Sequence, residues 1–216
     1  MTKPRYVIFD FDGTLVNTTD LALSIYNRVA ANYRCKPIPP EDKHLLFSSK
    51  LKELMDRFKV NSFKLFLLQF RIRKELRKHI EDFEPIAHIE TALAQLKEAG
   101  YKCGILTSNA KKNVEHFLDI KGLSPLFDFV YQSKHFFGKD LALHQLIKRE
   151  SLSLEQVVYV GDEIRDMLAS KKAGIPMVAV SWGFTPPDIF EGKHPDRLAY
   201  TPAELKTCID ELFQFR

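Results

Sequence analysis

The chain has 216 residues, of which 45% are apolar and 28% charged, with a formal net charge of +4. This is ordinary globular composition, which excludes a disordered or collagen-like chain, and the length supports a substantial core without disulfide staples. No stretch approaches the roughly 18 uncharged apolar residues that a membrane span needs. The first apolar run is short and ends in carboxylates, unlike a signal peptide. The three cysteines, Cys35, Cys103 and Cys208, are too scattered for a disulfide framework or a zinc site, so reduced thiols in a cytoplasmic protein are expected.

In chain order, Tyr6–Phe11 (YVIFDF) reads as a buried strand. Thr19 and Asp20 are placed to cap a helix running to about Asn32. Pro37, Pro39 and Pro40 break the chain. Leu51, Leu54, Met55 and Phe58 then repeat at helical spacing, and Phe63, Phe66, Leu67 and Phe70 repeat it again after a break at 60–62. The Phe stripe is expected to face the core or a domain seam. From Pro85 the pattern changes. Helices are expected at 89–99, 111–119, 140–149, 165–173 and from Thr201 to about Phe213, and strands at 102–106, 129–131, 157–160 and 177–180. Strands alternating with helices predict an α/β fold, a doubly wound, mostly parallel sheet covered on both faces. The helix-only stretch interrupts this alternation directly after the first strand. The expected organisation is therefore a core domain of residues 1–14 and 85–216 with an inserted helical cap at 15–84.

Charge is uneven along the chain. Ten Lys/Arg against three acids between Lys50 and Lys78 give that stretch +7. Such asymmetry points to an anionic ligand or surface. Lys50, Lys52, Lys64, Arg71 and Lys74 are candidates to reach a substrate bearing a second anionic group.

Ligands of open α/β sheets bind at the carboxyl ends of the strands. There the sequence places Asp10, Asp12, Gly13 and Thr14 after the first strand, and Thr107, Ser108 and Asn109 after the second. Asp162, Glu163 and Asp166 follow the fourth, and Lys139 opens the helix before it. Converging carboxylates repel one another unless a cation sits among them, and hard oxygen donors suit Mg²⁺. A lysine, hydroxyl donors and Mg²⁺ together fit a dianionic phosphate. One carboxylate is then available to attack phosphorus and the other to move the leaving-group proton.

FDFDGTLVNT at Phe9–Thr18, LTSN at Leu106–Asn109, Lys139, and VYVGDEIRDMLASKKAGIP at Val158–Pro176 arrive in the order of the four motifs of the haloacid dehalogenase-like hydrolase superfamily. The chain resembles its phosphoglycolate phosphatase-like branch. The resemblance implies Asp10 as nucleophile and metal ligand. It implies Asp12 as general acid/base, with its backbone carbonyl on the metal, and Asp162 as the direct metal carboxylate. Thr107 with Ser108 or Asn109, together with Lys139, would bind the phosphate, and Asp166 would act from behind through water or by orienting Lys139. Asp140, Ile86 and Asn17 depart from the residues the family often carries there. The implied activity is Mg²⁺-dependent hydrolysis of a small phosphorylated metabolite through an aspartyl-phosphate. Phosphomutase and pyrophosphatase chemistry are alternatives within the superfamily. Asp12 argues against its dehalogenases and phosphonate hydrolases. A reading of another class, a nucleic-acid or anionic-surface binder using the basic segment, has no recognisable motif behind it. No G-x-S-x-G or G-x-x-x-x-G-K-[ST] stretch supports a serine hydrolase or a nucleoside triphosphatase.

Overall fold

A computed structural model describes residues 4–39, 41–42, 55–76, 78–133 and 138–214. The strands are β1 (Tyr6–Phe9), β2 (Val16–Asn17), β3 (Glu84–Pro85), β4 (Lys102–Thr107), β5 (Phe129–Gln132), β6 (Val157–Gly161), β7 (Met177–Val180) and β8 (Arg197–Ala199). The helices are α1 (Thr19–Val29), α2 (Ser62–Leu76), α3 (Ile89–Glu98), α4 (Lys111–Ile120), α5 (Lys139–Arg149), α6 (Ile164–Ala173), α7 (Pro187–Glu191) and α8 (Leu205–Gln214). Six strands form one sheet in the order β5-β4-β1-β6-β7-β8, and every pairing within it is parallel.

The strands are apolar on both faces because both faces are covered. Val7 and Phe9 of β1, Val158 and Val160 of β6, and Val178 and Val180 of β7 join one buried layer with residues of α3, α4 and α8. The alternate residues Ile8, Tyr159, Met177 and Ala179 join a second layer with α5 and α6. The doubly wound α/β architecture is thus present as expected.

Strand β1 ends at Phe9, two residues short of the predicted limit. The Asp10 N–H still donates to Val160 O at 2.9 Å, continuing the ladder by one bond. The chain then turns, with the Leu15 and Val16 amides both donating to Phe11 O. Gly13 sits at φ +81°, a conformation that costs glycine nothing. The turn delivers β2, which pairs antiparallel with β3, Val16 against Pro85 and Asn17 against Glu84. The stretch between them leaves and rejoins the sheet at one place.

Thr19 and Asp20 do not cap α1 from outside. They lie in its first turn, and the Asn17 carboxamide accepts the Thr19 N–H at 3.1 Å. Helix α1 gives way to a 3-10 turn at Ala30–Tyr33. It packs on α2, and Tyr26, Val29, Phe58, Val60 and Leu68 share a small core of their own. The helix read around Leu51–Phe58 lies largely outside the described residues, with 55–57 helical.

The Phe stripe requires correction. Phe63 is 70% exposed and Phe70 61% exposed, while Leu68 is 1% exposed. The side chain of Phe66 lies outside the described residues. The buried face of α2 is instead Leu68, Ile72 and Leu76, at i, i+4 and i+8. The basic charge of this region is also partly spent internally. Lys64 Nζ donates to Arg34 O and Lys59 O, Arg71 pairs with Glu75 at 3.2 Å, and Arg57 pairs with Asp42 at 3.0 Å. Lys50 and Lys52 lie outside the described residues, and Lys74 is exposed.

Candidate active site

The carboxyl ends of β1, β4 and β6 meet at one rim of the sheet, and helix N-termini bring two further groups to it. Asp10 follows β1, and its Oδ1 accepts the Phe11 N–H at 2.8 Å. Its Oδ2 lies 2.7 Å from Nζ of Lys139, the first residue of α5. The same ammonium contacts Asp166 Oδ1. Asp166 Oδ2 accepts the Glu163 N–H at 3.0 Å, so Asp166 holds Lys139 with one oxygen and the start of α6 with the other. Asp166 thus links Lys139 to the N-terminus of α6.

Asp162, just past β6, is fully buried. It accepts the Thr14 hydroxyl at 2.8 Å on Oδ1 and the Phe184 N–H at 2.8 Å on Oδ2. Carboxylate oxygens of Asp10, Asp162 and Asp166 all lie within 4.8 Å of one another. Burial pushes the Asp162 carboxyl well above the usual range, and the charges of Glu163, Asp166 and Asp10 add to the rise. Burial likewise raises Asp166 to about 6, with Lys139 working against it. Burial opposes the Lys139 charge, yet Asp10 and Asp166 outweigh it and hold its pKa above the ordinary value. Of these three buried carboxylates, Asp10 and Asp166 pair with Lys139 and Asp162 accepts from a hydroxyl and a backbone N–H, so the cluster gathers negative charge on hard oxygen donors. These features suit a divalent cation.

Asp12 stands apart from this cluster. Its Oδ2 accepts the Asn109 carboxamide at 2.9 Å. In a regular strand Asp10 and Asp12 would face opposite sides. The turn after Phe9 brings both to the rim. Thr107, the last residue of β4, is fully buried, and its hydroxyl accepts the Asn109 N–H at 2.9 Å. The Asn109 amide is thus engaged within its own loop, and its side chain serves Asp12. Ser108 is half-buried beside them. All eight sequence candidates therefore lie at this rim.

Two contributors were not singled out from sequence. The loop after β7 carries Trp182, whose indole N–H donates to Thr14 O at 3.1 Å, and Gly183 and Phe184, which close over Asp162. A Cβ on Gly183 would come within 2.5 Å of the Asp162 carboxyl carbon. The available signal was a Trp-Gly step directly after an apolar strand. Tyr159 is the other. Its ring centroid lies 5.4 Å from Lys139 Nζ, beneath the ammonium, and no sequence pattern marks a tyrosine within a core strand.

The sequence signature of haloacid dehalogenase-like hydrolases matches residues 7–180. The chain belongs to this family of hydrolases. Among its relatives, the phosphoglycolate phosphatase of Synechococcus elongatus is 33% identical, over 96% of this chain and 98% of that one. Pyrophosphatase PpaX of Bacillus mycoides is 27% identical over 90% of this chain and 91% of its own length. A haloacid dehalogenase-like hydrolase from Streptococcus pneumoniae shares the fold, with a TM-score of 0.71 at 22% identity, covering 96% of this chain and 99% of its own. The relatives place the chain among the family's phosphatases, and no helix among the described residues is long and apolar enough to cross a membrane.

Proposed function

We propose that the chain is a Mg²⁺-dependent phosphomonoester hydrolase of small phosphorylated metabolites, with phosphoglycolate as its first candidate substrate. The observation that carries this reading is Lys139 held between Asp10 and Asp166, with Asp162 in the same buried cluster. Asp10, Asp162 and the Asp12 backbone carbonyl would hold the ion, with Asp166 behind them. When bound, Mg²⁺ neutralises the carboxylates and draws charge from the phosphoryl oxygens.

The remaining work falls to the chain's own groups. The Phe11 N–H and Lys139 fix the two oxygens of Asp10, which aims the carboxylate as a nucleophile. Asp10 attacks phosphorus, and the bond to the leaving oxygen breaks as Asp12 gives that oxygen a proton. This leaves an aspartyl-phosphate. Asp12, now a carboxylate, takes a proton from water as the water attacks the phosphorus. Inorganic phosphate leaves and Asp10 is restored. Asn109 keeps Asp12 turned toward the leaving group. Lys139 and Thr107 receive phosphoryl oxygens. The helical segment 15–84 acts as a cap carrying the leaving-group pocket, and the enzyme works in the cytoplasm.

The test is a screen with Mg²⁺ across phosphoglycolate, sugar phosphates, nucleotides and pyrophosphate. The last is included because of the pyrophosphatase relatives. The reading expects phosphate release from a monoester and near-complete loss of turnover in Asp162→Ala, with that variant still folded. Normal turnover by Asp162→Ala at millimolar Mg²⁺ would sink it.

A further inference from the structure

A groove of about 670 Å³ opens at the opposite rim of the sheet, away from the carboxylate cluster. Pro176, just before β7, and Asp196, just before β8, belong to it. It therefore lies at the amino ends of parallel strands whose carboxyl-end rim carries the catalytic groups. Its size is that of a small-molecule site.

Ile175 and Leu212, both buried, give the groove an apolar lining. Lys171, Lys193, His194 and Arg197 surround it. Arg197 is engaged with Glu211 at 2.6 Å. The one acid of the lining, Asp196, turns its Oδ2 inward to accept the Met177 N–H at 2.9 Å. Lys171 and Lys193 are exposed, and among the described residues neither has an ion pair. The concavity thus sets two aliphatic side chains beside Lys171, Lys193 and Arg197, against which the lining itself carries the single carboxylate of Asp196, leaving it net positive. His194 adds a further mark. Its φ is +52°, and it precedes Pro195, a position that disfavours the helical regions. The loop accepts that strain where it bounds the groove.

We propose that this groove is a second ligand site, distinct from the phosphate chemistry, for a small amphiphilic anion. Such a ligand has an apolar body for the lining and a sulfonate, carboxylate or phosphate for Lys171 and Lys193. A flat lipid surface does not fit a concave site of this size. Helix α6 links the two rims, with Asp166 in its first turn and Lys171 in its last.

The test uses anilinonaphthalene sulfonate, an apolar anion, titrated into the full chain and followed by fluorescence and calorimetry. One saturable site per chain is expected. Lys171→Glu and Lys193→Glu each replace an exposed cation without touching the core. Each should weaken binding about tenfold, the scale of a charge reversal at a partly screened site. The melting temperature should stay unchanged, and binding of the neutral N-phenylnaphthylamine should not distinguish the variants from the parent. Unaltered affinity for the sulfonate in either variant, or no saturable site in the parent chain, overturns the proposal.

Discussion

At the scale of single residues, the site divides its carboxylates by neighbour. Asp10 is fixed by a lysine and a backbone N–H, Asp12 by a carboxamide, and Asp162 by a hydroxyl and a backbone N–H. These surroundings predict separable defects. On the proposed mechanism, Asp10→Asn removes the attacking carboxylate and should abolish turnover of every substrate. Asp12→Asn removes only proton transfer. It should slow alkyl phosphates far more than p-nitrophenyl phosphate, whose leaving group needs little protonation. Steady-state rates on the two substrates check this, and equal losses would contradict the acid role. Gly13 offers a test of geometry. At φ +81° a side chain is strained, and a Cβ would lie 2.8 Å from a Phe184 ring carbon and against Asp162 Oδ2. Gly13→Ala should cost at least about 1–3 kcal/mol and displace the Asp162 carboxylate together. Urea unfolding and phosphatase assays should show both losses in the one variant.

The motif residues were legible because their spacing encodes where strands end. The partnerships were not. Asn109 meets Asp12 across 97 positions of sequence, and the Phe184 N–H reaches Asp162 from a loop with no period of its own.

At the scale of elements, strands and helices with a sustained apolar period could be read directly, as β4, β6, α3 and α5 show. Strands β2 and β3 have two residues each and β8 has three, too short to carry a period. Helix α2 misled for another reason. It carries two apolar stripes, and spacing alone cannot say which one is buried. Leu68→Ala should therefore cost about 2–5 kcal/mol, whereas Phe63→Ser and Phe70→Ser should stay within about 0.5 kcal/mol. Chemical denaturation of the three variants compares them directly. If the Phe variants proved as damaging as Leu68→Ala, the assignment of the buried face would fail.

Asp128 ties elements together in a way that responds to pH. It lies just before β5, accepts the Cys103 N–H of β4, and pairs with Lys97 of α3 at 2.9 Å and with Lys102 at 3.0 Å. Burial pushes its carboxyl upward, but the two lysines and the N–H outweigh burial and hold it below the usual carboxylate value. A depressed folded-state pKa contributes stability above the unfolded value and loses it as pH falls through the folded one. Asp128→Asn should cost about 1–2 kcal/mol at neutral pH. The deficit should be largest at neutral pH and shrink at an acid pH below the depressed folded-state value, where both chains carry an uncharged group. Parallel unfolding curves at the two pH values measure it.

At the scale of the whole molecule, the sheet places β1, the strand that leads into Asp10, in its interior. Tyr6 of β1 pairs with Lys102 on one side and with Val157 on the other. Neither neighbour is close in sequence, and the helical segment 15–84 intervenes before the nearer one. The strand bearing Asp10 is thus an orphan in the growing polypeptide. A ribosome must release β4 before β1 can gain one edge, and β6 before it gains the other. Pairings so distant close slowly, since chain entropy must be lost before contacts repay it. The segment YVIF is apolar throughout, and until then its hydrogen-bonding edges stay open to any passing strand. The arrangement that covers both edges of this strand in the finished protein makes it the first of the sheet to be synthesised and the one that waits longest for its second edge, and leaves it the segment most in need of shelter during biogenesis.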